Sequence, residues 1–147
     1  MDRKPRPRKK GLSALSDTKT NEHHRLPRSH GGHSDARNLS ILTIREHDAW
    51  HRLFKHFYAT TIAEQIDRWH HAHGMRVECR RIAHPRHRNM SGSERVRHER
   101  ELVTDRPTAV QQEAWEYLFG DLDPPQIVHK INTKYLDPDY VLVLTAH

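Results

Sequence analysis

The stretch Glu22-His23-His24-Arg25-Leu26-Pro27-Arg28-Ser29-His30-Gly31-Gly32, with Asn38-Leu39 beyond it and His47 and His51 further on, is the most informative part of this 147-residue chain. His47 and His51 stand four apart where the periodicity is helical, so their imidazoles share a face and can grip one ion. His23, on a short strand upstream, could supply a third ligand. Three imidazoles leave coordination positions open for water and a phosphate oxygen, as a catalytic site requires. His24 would then stand beside the ion without binding it. A free imidazole there can take a proton from water near neutral pH, which is general-base work. Gly31-Gly32 permits a tight reversal between two strands, where a side chain would clash or demand an unfavourable φ. Asn38, at the end of that loop, is placed to hydrogen-bond the backbone and hold the strand bearing His24 in register. Taken singly, a surface His24 or a solvated His47–His51 pair would be ordinary; the weight lies in the combination.

Working outward, Asn38 to Thr43 alternates apolar and polar residues as a half-buried strand does. From Ile44 the apolar spacing turns helical, and Trp50, Leu53, Phe54 and Phe57 fall on one face. Thr61 with Glu64 resembles a capping box and predicts a second helix to about His71, stopped by Gly74. Trp50, Phe54 and Trp69 read as core rather than as base-stacking platforms. Met75, Val77 and Cys79 alternate with Arg76, Glu78 and Arg80, predicting a short strand with a basic face. His84 through Ser93 reads as a loop, with Ser93 capping a charged helix that ends near Val103. Thr108 with Gln111 marks another helix, ended by Gly120; Pro124-Pro125 opens one through Tyr135, and Tyr140 to Leu144 closes as a strand.

Composition sets the outer limits. Of the 147 residues 34% are apolar, which limits the core. Cys79 is the only cysteine, which excludes an internal disulfide framework and any multi-cysteine zinc knuckle. No apolar run is long enough to cross a bilayer, and the basic beginning is not followed by an apolar segment, so a cytoplasmic location and no membrane partner are expected. The formal net charge is +6, but it is unevenly spread. Residues 1–100 hold 22 Lys/Arg against 11 Asp/Glu, and residues 101–147 hold 3 against 8. The front suits a polyanion, and nucleic acid fits because neutralised phosphates release counterions. Residues 1–20 read as a flexible basic arm. The 15 histidines need separate readings. His70, His71 and His73 suit a helix C-terminus. His30 and His33 are expected to face solvent. A second metal site from His73, Cys79, His84 and His87 matches no tight zinc spacing.

The ordered set His23-His24, Pro27-x-Ser29-x-Gly31-Gly32, Asn38-Leu39 and His47-x-x-x-His51 resembles the HNH nuclease motif, or ββα-metal fold. It is similar in particular to the all-histidine version in bacterial nuclease toxins such as colicins. The resemblance covers roughly residues 20–55. It implies an α+β fold with a small ββα-metal core, followed by helices and a short terminal strand. Residues 21–74 would form the nuclease core with an added helix, and 75–147 a helical extension, acidic after 101. The resemblance also implies His24 as general base, Asn38 as the residue orienting the hairpin, and His23, His47 and His51 as ligands of one divalent metal ion. Family members cut phosphodiester bonds, most often in DNA. Many carry cysteine pairs for a structural zinc, which one cysteine cannot supply. Many also use Asp in place of His23. Three imidazoles favour zinc, nickel or manganese over magnesium, which high cellular concentration still admits.

The expected activity is therefore metal-dependent DNA hydrolysis, RNA being a second substrate class. His24 would deprotonate the attacking water, and the ion would stabilise charge on phosphorus and on the departing 3′ oxygen. Arg25, Arg28 and Arg37 are expected to contact phosphates, since a guanidinium can bond two oxygens at once. The alternative is a catalytically silent HNH-like nucleic-acid-binding subunit of a larger nucleoprotein complex. For the acidic third, Trp115, Tyr117, Leu118 and Phe119 would dock on a protein partner or fold back over the basic face.

Overall fold

The computed structural model describes residues 11–82 and 92–145. The chain is mixed α/β, with helices dominating and the described strands forming two separate antiparallel pairs. The first pair joins β1 (Thr20–His24) to β2 (Leu39–Thr43), with His24 opposite Leu39 and Thr20 opposite Thr43. Helix α1 (Ile44–Phe54) follows β2 without a connecting residue. The last strand residue, Thr43, is itself the helix N-cap, its hydroxyl accepting from the Glu46 amide at 3.0 Å. Strand and helix are thus rigidly joined, which fixes His47 and His51 relative to β1.

Apolar spacing decides which face of α1 is buried. Ala49, Trp50, Leu53 and Phe54 turn inward and meet Ala114, Trp115, Leu118 and Phe119 of α5 (Ala109–Phe119). Helix α5 begins with the expected capping box between Thr108 and Gln111. The expected helix after Thr61 differs. Helix α2 (Ala59–Arg68) starts two residues before Thr61, and the short α3 (His70–His73) follows as a separate turn closed by Gly74 at φ 68°. Thr61 therefore lies inside the helix and forms no box with Glu64. Its hydroxyl instead donates to the buried carboxylate of Glu99 at 2.8 Å, which also accepts from the Tyr58 amide. Glu99 belongs to α4 (Gly92–Arg100), so the first turn of α2 is capped by a distant helix. Ser93 lies within α4 rather than before it. The expected loop from His84 falls largely outside the described residues.

The second sheet pairs β3 (Val77–Arg81) with β4 (Tyr140–Leu144), Cys79 opposite Leu142. Between α5 and β4 lies α6 (Pro124–Lys130), capped by Asp123 and Gln126, which runs into a π-helical turn, Ile131–Tyr135. Asn132 in that turn pairs with both backbone groups of Leu142, at 3.0 and 2.8 Å, and so acts as an extra edge partner for β4.

One hydrophobic cluster reaches from Leu12 to Leu142 and draws on both 21–74 and 75–147. The expected flexible arm is corrected for residues 11–19. Leu12 is buried, and Arg45 of α1 donates to the carbonyls of Ser13 and Leu15 at 2.9 and 3.0 Å. Residues 1–10 lie outside the described set. In the acidic third, Trp115, Leu118 and Phe119 are core residues and unavailable for docking, while Val110 and Tyr117 are exposed. Among the described residues no helix is long and apolar enough to cross a membrane.

Candidate metal centre

Alternation along β1 sends adjacent histidines to different surroundings. His23 is 2% exposed, whereas His24 is half-buried. The His23 ring packs within 5.2 Å of the His47 ring and 5.6 Å of the His51 ring, measured between centroids. One ring nitrogen from each of the three lies within 4.8 Å of the others. Strand β1 thus supplies one imidazole and successive turns of α1 the other two, as the four-residue spacing requires.

Carbonyl hydrogen bonds fix which nitrogen carries the proton in two of the three rings. His23 Nε2 lies 2.9 Å from the Tyr135 carbonyl, which can only accept, so Nε2 carries the proton. Its Nδ1 is left bare, buried and without a hydrogen-bond partner among the described residues. His51 Nδ1 donates to the Lys55 carbonyl at 2.8 Å, leaving Nε2 bare. That Nε2 stands 2.9 Å from His47 Nε2, a contact that one shared proton or one shared cation satisfies. The Lys55 carbonyl turns back toward the ring because Lys55 ends α1 at φ 50° and ψ −134°, the only positive-φ residue other than glycine among those described. A lysine held there is strained, and the strain falls beside His51.

Burial keeps these rings neutral. Desolvation drops His23 to about 3 and His51 to about 4; neighbouring histidines add to it, and the two carbonyl bonds only partly offset it. His47 is lowered as well, first by desolvation and then by the charges of His56 and His24. Neutral imidazoles with bare nitrogens are the form that binds a metal. The orphaned buried Nδ1 of His23 and the convergent neutral nitrogen set therefore fit a divalent ion. A set of imidazoles suits zinc, nickel or manganese better than magnesium.

His24 stands close enough for its charge to act on His47, and its Nε2 is 3.0 Å from Ser34 Oγ. Asn38 is buried and satisfies the loop in three places. Its Oδ1 accepts from the Leu26 amide at 2.7 Å, and its Nδ2 donates to the carbonyls of Leu26 at 3.0 Å and His33 at 2.9 Å. Gly31 takes φ 90°, and a Cβ on Gly32 would fall 1.8 Å from the Leu26 carbonyl oxygen. Both glycines are thus required where they stand.

Two expected phosphate contacts are otherwise engaged. Arg25 donates through Nε to the Leu136 carbonyl at 2.7 Å and through Nη2 to that of Asn132. Arg37 pairs with Asp139 at 2.6 Å and donates to the Pro138 carbonyl. Both hold the C-terminal segment against the hairpin. Arg28 is exposed beside the loop. His30, expected in solvent, is buried: its ring stacks on Tyr58 at 4.0 Å and donates to the His56 carbonyl. His33 is exposed. The second metal grouping does not assemble among the described residues: His73 stacks on Trp115 at 3.6 Å, and His84 and His87 lie outside the described set.

Sequence reasoning missed Ser34, Lys55, His56 and Tyr135. Ser34 lies in a loop without periodicity, Lys55 acts through its backbone carbonyl rather than its side chain, and Tyr135 is 112 residues from the ring it holds. His56 is exposed with its ring 4.7 Å from that of His51, five residues along the chain; counting beyond the helical pair would have found it. Compared with protein-family models, with curated proteins and with solved structures, the chain gives no match in any of the three.

Proposed function

We propose that this chain is a metal-dependent endonuclease of the HNH type, built on a ββα-metal core, that hydrolyses phosphodiester bonds in DNA. The observation that carries the proposal is the buried Nδ1 of His23, without a hydrogen-bond partner among the described residues, on a ring packed against those of His47 and His51. A purely structural histidine cluster would be expected to satisfy that nitrogen from within the protein. Here the hairpin and the helix leave it bare.

His23, His47 and His51 would hold the ion. When bound, it supplies Lewis-acid stabilisation of the negative charge that develops on the scissile phosphate. The protein's own residues do the rest. His24 accepts a proton from a water molecule, and the water oxygen forms its bond to phosphorus. The bond from phosphorus to the 3′ oxygen breaks, and that oxygen takes a proton from solvent. Ser34 steadies the His24 ring, and Asn38 holds the loop that carries Ser34. Arg28 is the one of the three named arginines left for phosphate contact. The excess positive charge of residues 1–100 favours approach of a polyanion.

The test is relaxation of supercoiled plasmid with zinc, nickel, manganese or magnesium, set beside His24→Ala. Metal-dependent nicking that falls by about 10²- to 10⁴-fold in the variant is the expected result, the usual contribution of a general base. If the protein binds DNA in a salt-sensitive manner but cuts neither DNA nor RNA with any of these ions, the nuclease proposal fails. The non-cutting binding subunit would then be the better description.

A further inference from the structure

Resting on the metal-centre reading above, we propose that Tyr135 is a positioning residue for that centre, locking the ring of His23 and bracing the ligand-bearing strand against the ligand-bearing helix. Three contacts of Tyr135 meet at this point. Its carbonyl accepts from His23 Nε2 at 2.9 Å, which puts the proton on Nε2 and leaves Nδ1 bare on the ring that packs against His47 and His51. Its ring is buried and stacks on Trp50 of α1, with centroids 4.7 Å apart and planes 18° apart. Its hydroxyl donates to Glu46, the residue immediately before His47 on α1.

The Glu46 carboxylate is also bound by Lys134 at 2.9 Å, so residues 134 and 135 both anchor to the first turn of α1. Tyr135 is the last residue of the π-helical turn, and from there its carbonyl meets β1 while its side chain reaches α1. The Arg25 bonds to Asn132 and Leu136 fasten the two flanks of the same turn to the hairpin. An outer partner of this kind fixes the tautomer and orientation of a ligating imidazole, and its loss typically weakens metal binding.

The experiment uses the full chain, metal-free and titrated with Zn²⁺ or Co²⁺. Tyr135→Phe keeps the ring, the stacking on Trp50 and the core volume, and removes only the hydroxyl. Glu46→Gln keeps an oxygen to accept from that hydroxyl and serves as the conservative rescue. In metal-free wild type, the ring ¹⁵N shifts of His23 should report the proton on Nε2. Tyr135→Phe should weaken Zn²⁺ and Co²⁺ binding about tenfold, the lower end of what an outer partner contributes. It should also alter the visible spectrum of the Co²⁺ form, while Glu46→Gln stays nearer to wild type on both counts. A merely structural role would lower the unfolding midpoint and leave metal affinity and spectrum alone. Unchanged affinity and spectrum in Tyr135→Phe, or a His23 proton on Nδ1 in wild type, would overturn the positioning role with the metal centre intact. Failure of wild type to bind either ion would overturn the metal centre itself, and the positioning role with it.

Discussion

Asn38 satisfies both backbone groups of Leu26 and the carbonyl of His33 from one buried side chain. Asn38→Ala would leave both Leu26 groups buried and unpaired, a loss of about 2–6 kcal/mol when each orphaned group costs about 1–3 kcal/mol. Urea unfolding of the metal-free protein should show that loss, and a change under about 0.5 kcal/mol, the scale of an ordinary surface substitution, would refute it. This residue was legible because its role is local: a short amide side chain at the end of a Gly-Gly loop has few other uses. Lys55 was not legible. Nothing in its side chain announces a positive φ, and the carbonyl it turns toward His51 belongs to backbone that any sequence would carry. The arginines failed for a related reason. Arg25, Arg28 and Arg37 are equivalent as charges, and the distant carbonyls of Asn132, Leu136 and Pro138, with the Asp139 carboxylate, set two of them apart.

Elements whose start signals sit within their own first turn were read correctly. Thr108 with Gln111 and the apolar spacing of α1 are such signals, and α1 and α5 followed from them, whereas the Thr43 cap of α1 was not read. Helix α2 shows where that logic stops. Its sequence offers a threonine and a glutamate at capping-box spacing, but Thr61 and the Tyr58 amide both turn to Glu99, 38 and 41 residues further on. A carboxylate from α4 supplies the negative charge that the helix start attracts. Glu99→Ala should therefore destabilise the protein by about 1–3 kcal/mol, because it strips the partner from a buried hydroxyl and from a helix-start amide together. Glu64→Ala, the residue of the expected box, should cost under about 0.5 kcal/mol, as exposed ion pairs usually do. Thermal unfolding of the two variants decides between the caps, and a larger loss in Glu64→Ala would refute this assignment.

Across the whole molecule, the contacts that complete the centre close over long sequence separations. The C-terminal segment from Asn132 to Asp139 holds His23, Arg25 and Arg37, and no local pattern predicts such pairing. That closure buries imidazoles and makes stability depend on pH. His23 sits at about 3, and His51 and His73 at about 4, all lowered chiefly by desolvation from an unfolded value of 6.5. Above about pH 6.5 these rings are neutral in both states, and pH has no hold through them. Between about 6.5 and about 4 the unfolded chain takes up protons that the folded chain refuses, so stability falls as pH falls. The slope is at most about 1.4 kcal/mol per pH unit for each histidine. His73 is separate from the centre, stacked on Trp115. His73→Phe keeps a ring there and should remove one histidine's share of the slope while leaving Zn²⁺ affinity near neutral pH unchanged. Urea midpoints of the metal-free protein, followed from about pH 7 down to about pH 5, would measure this. A flat profile would mean that the buried rings titrate as they do in water, and the neutral, metal-ready state assigned to His23 and His51 would lose its physical basis.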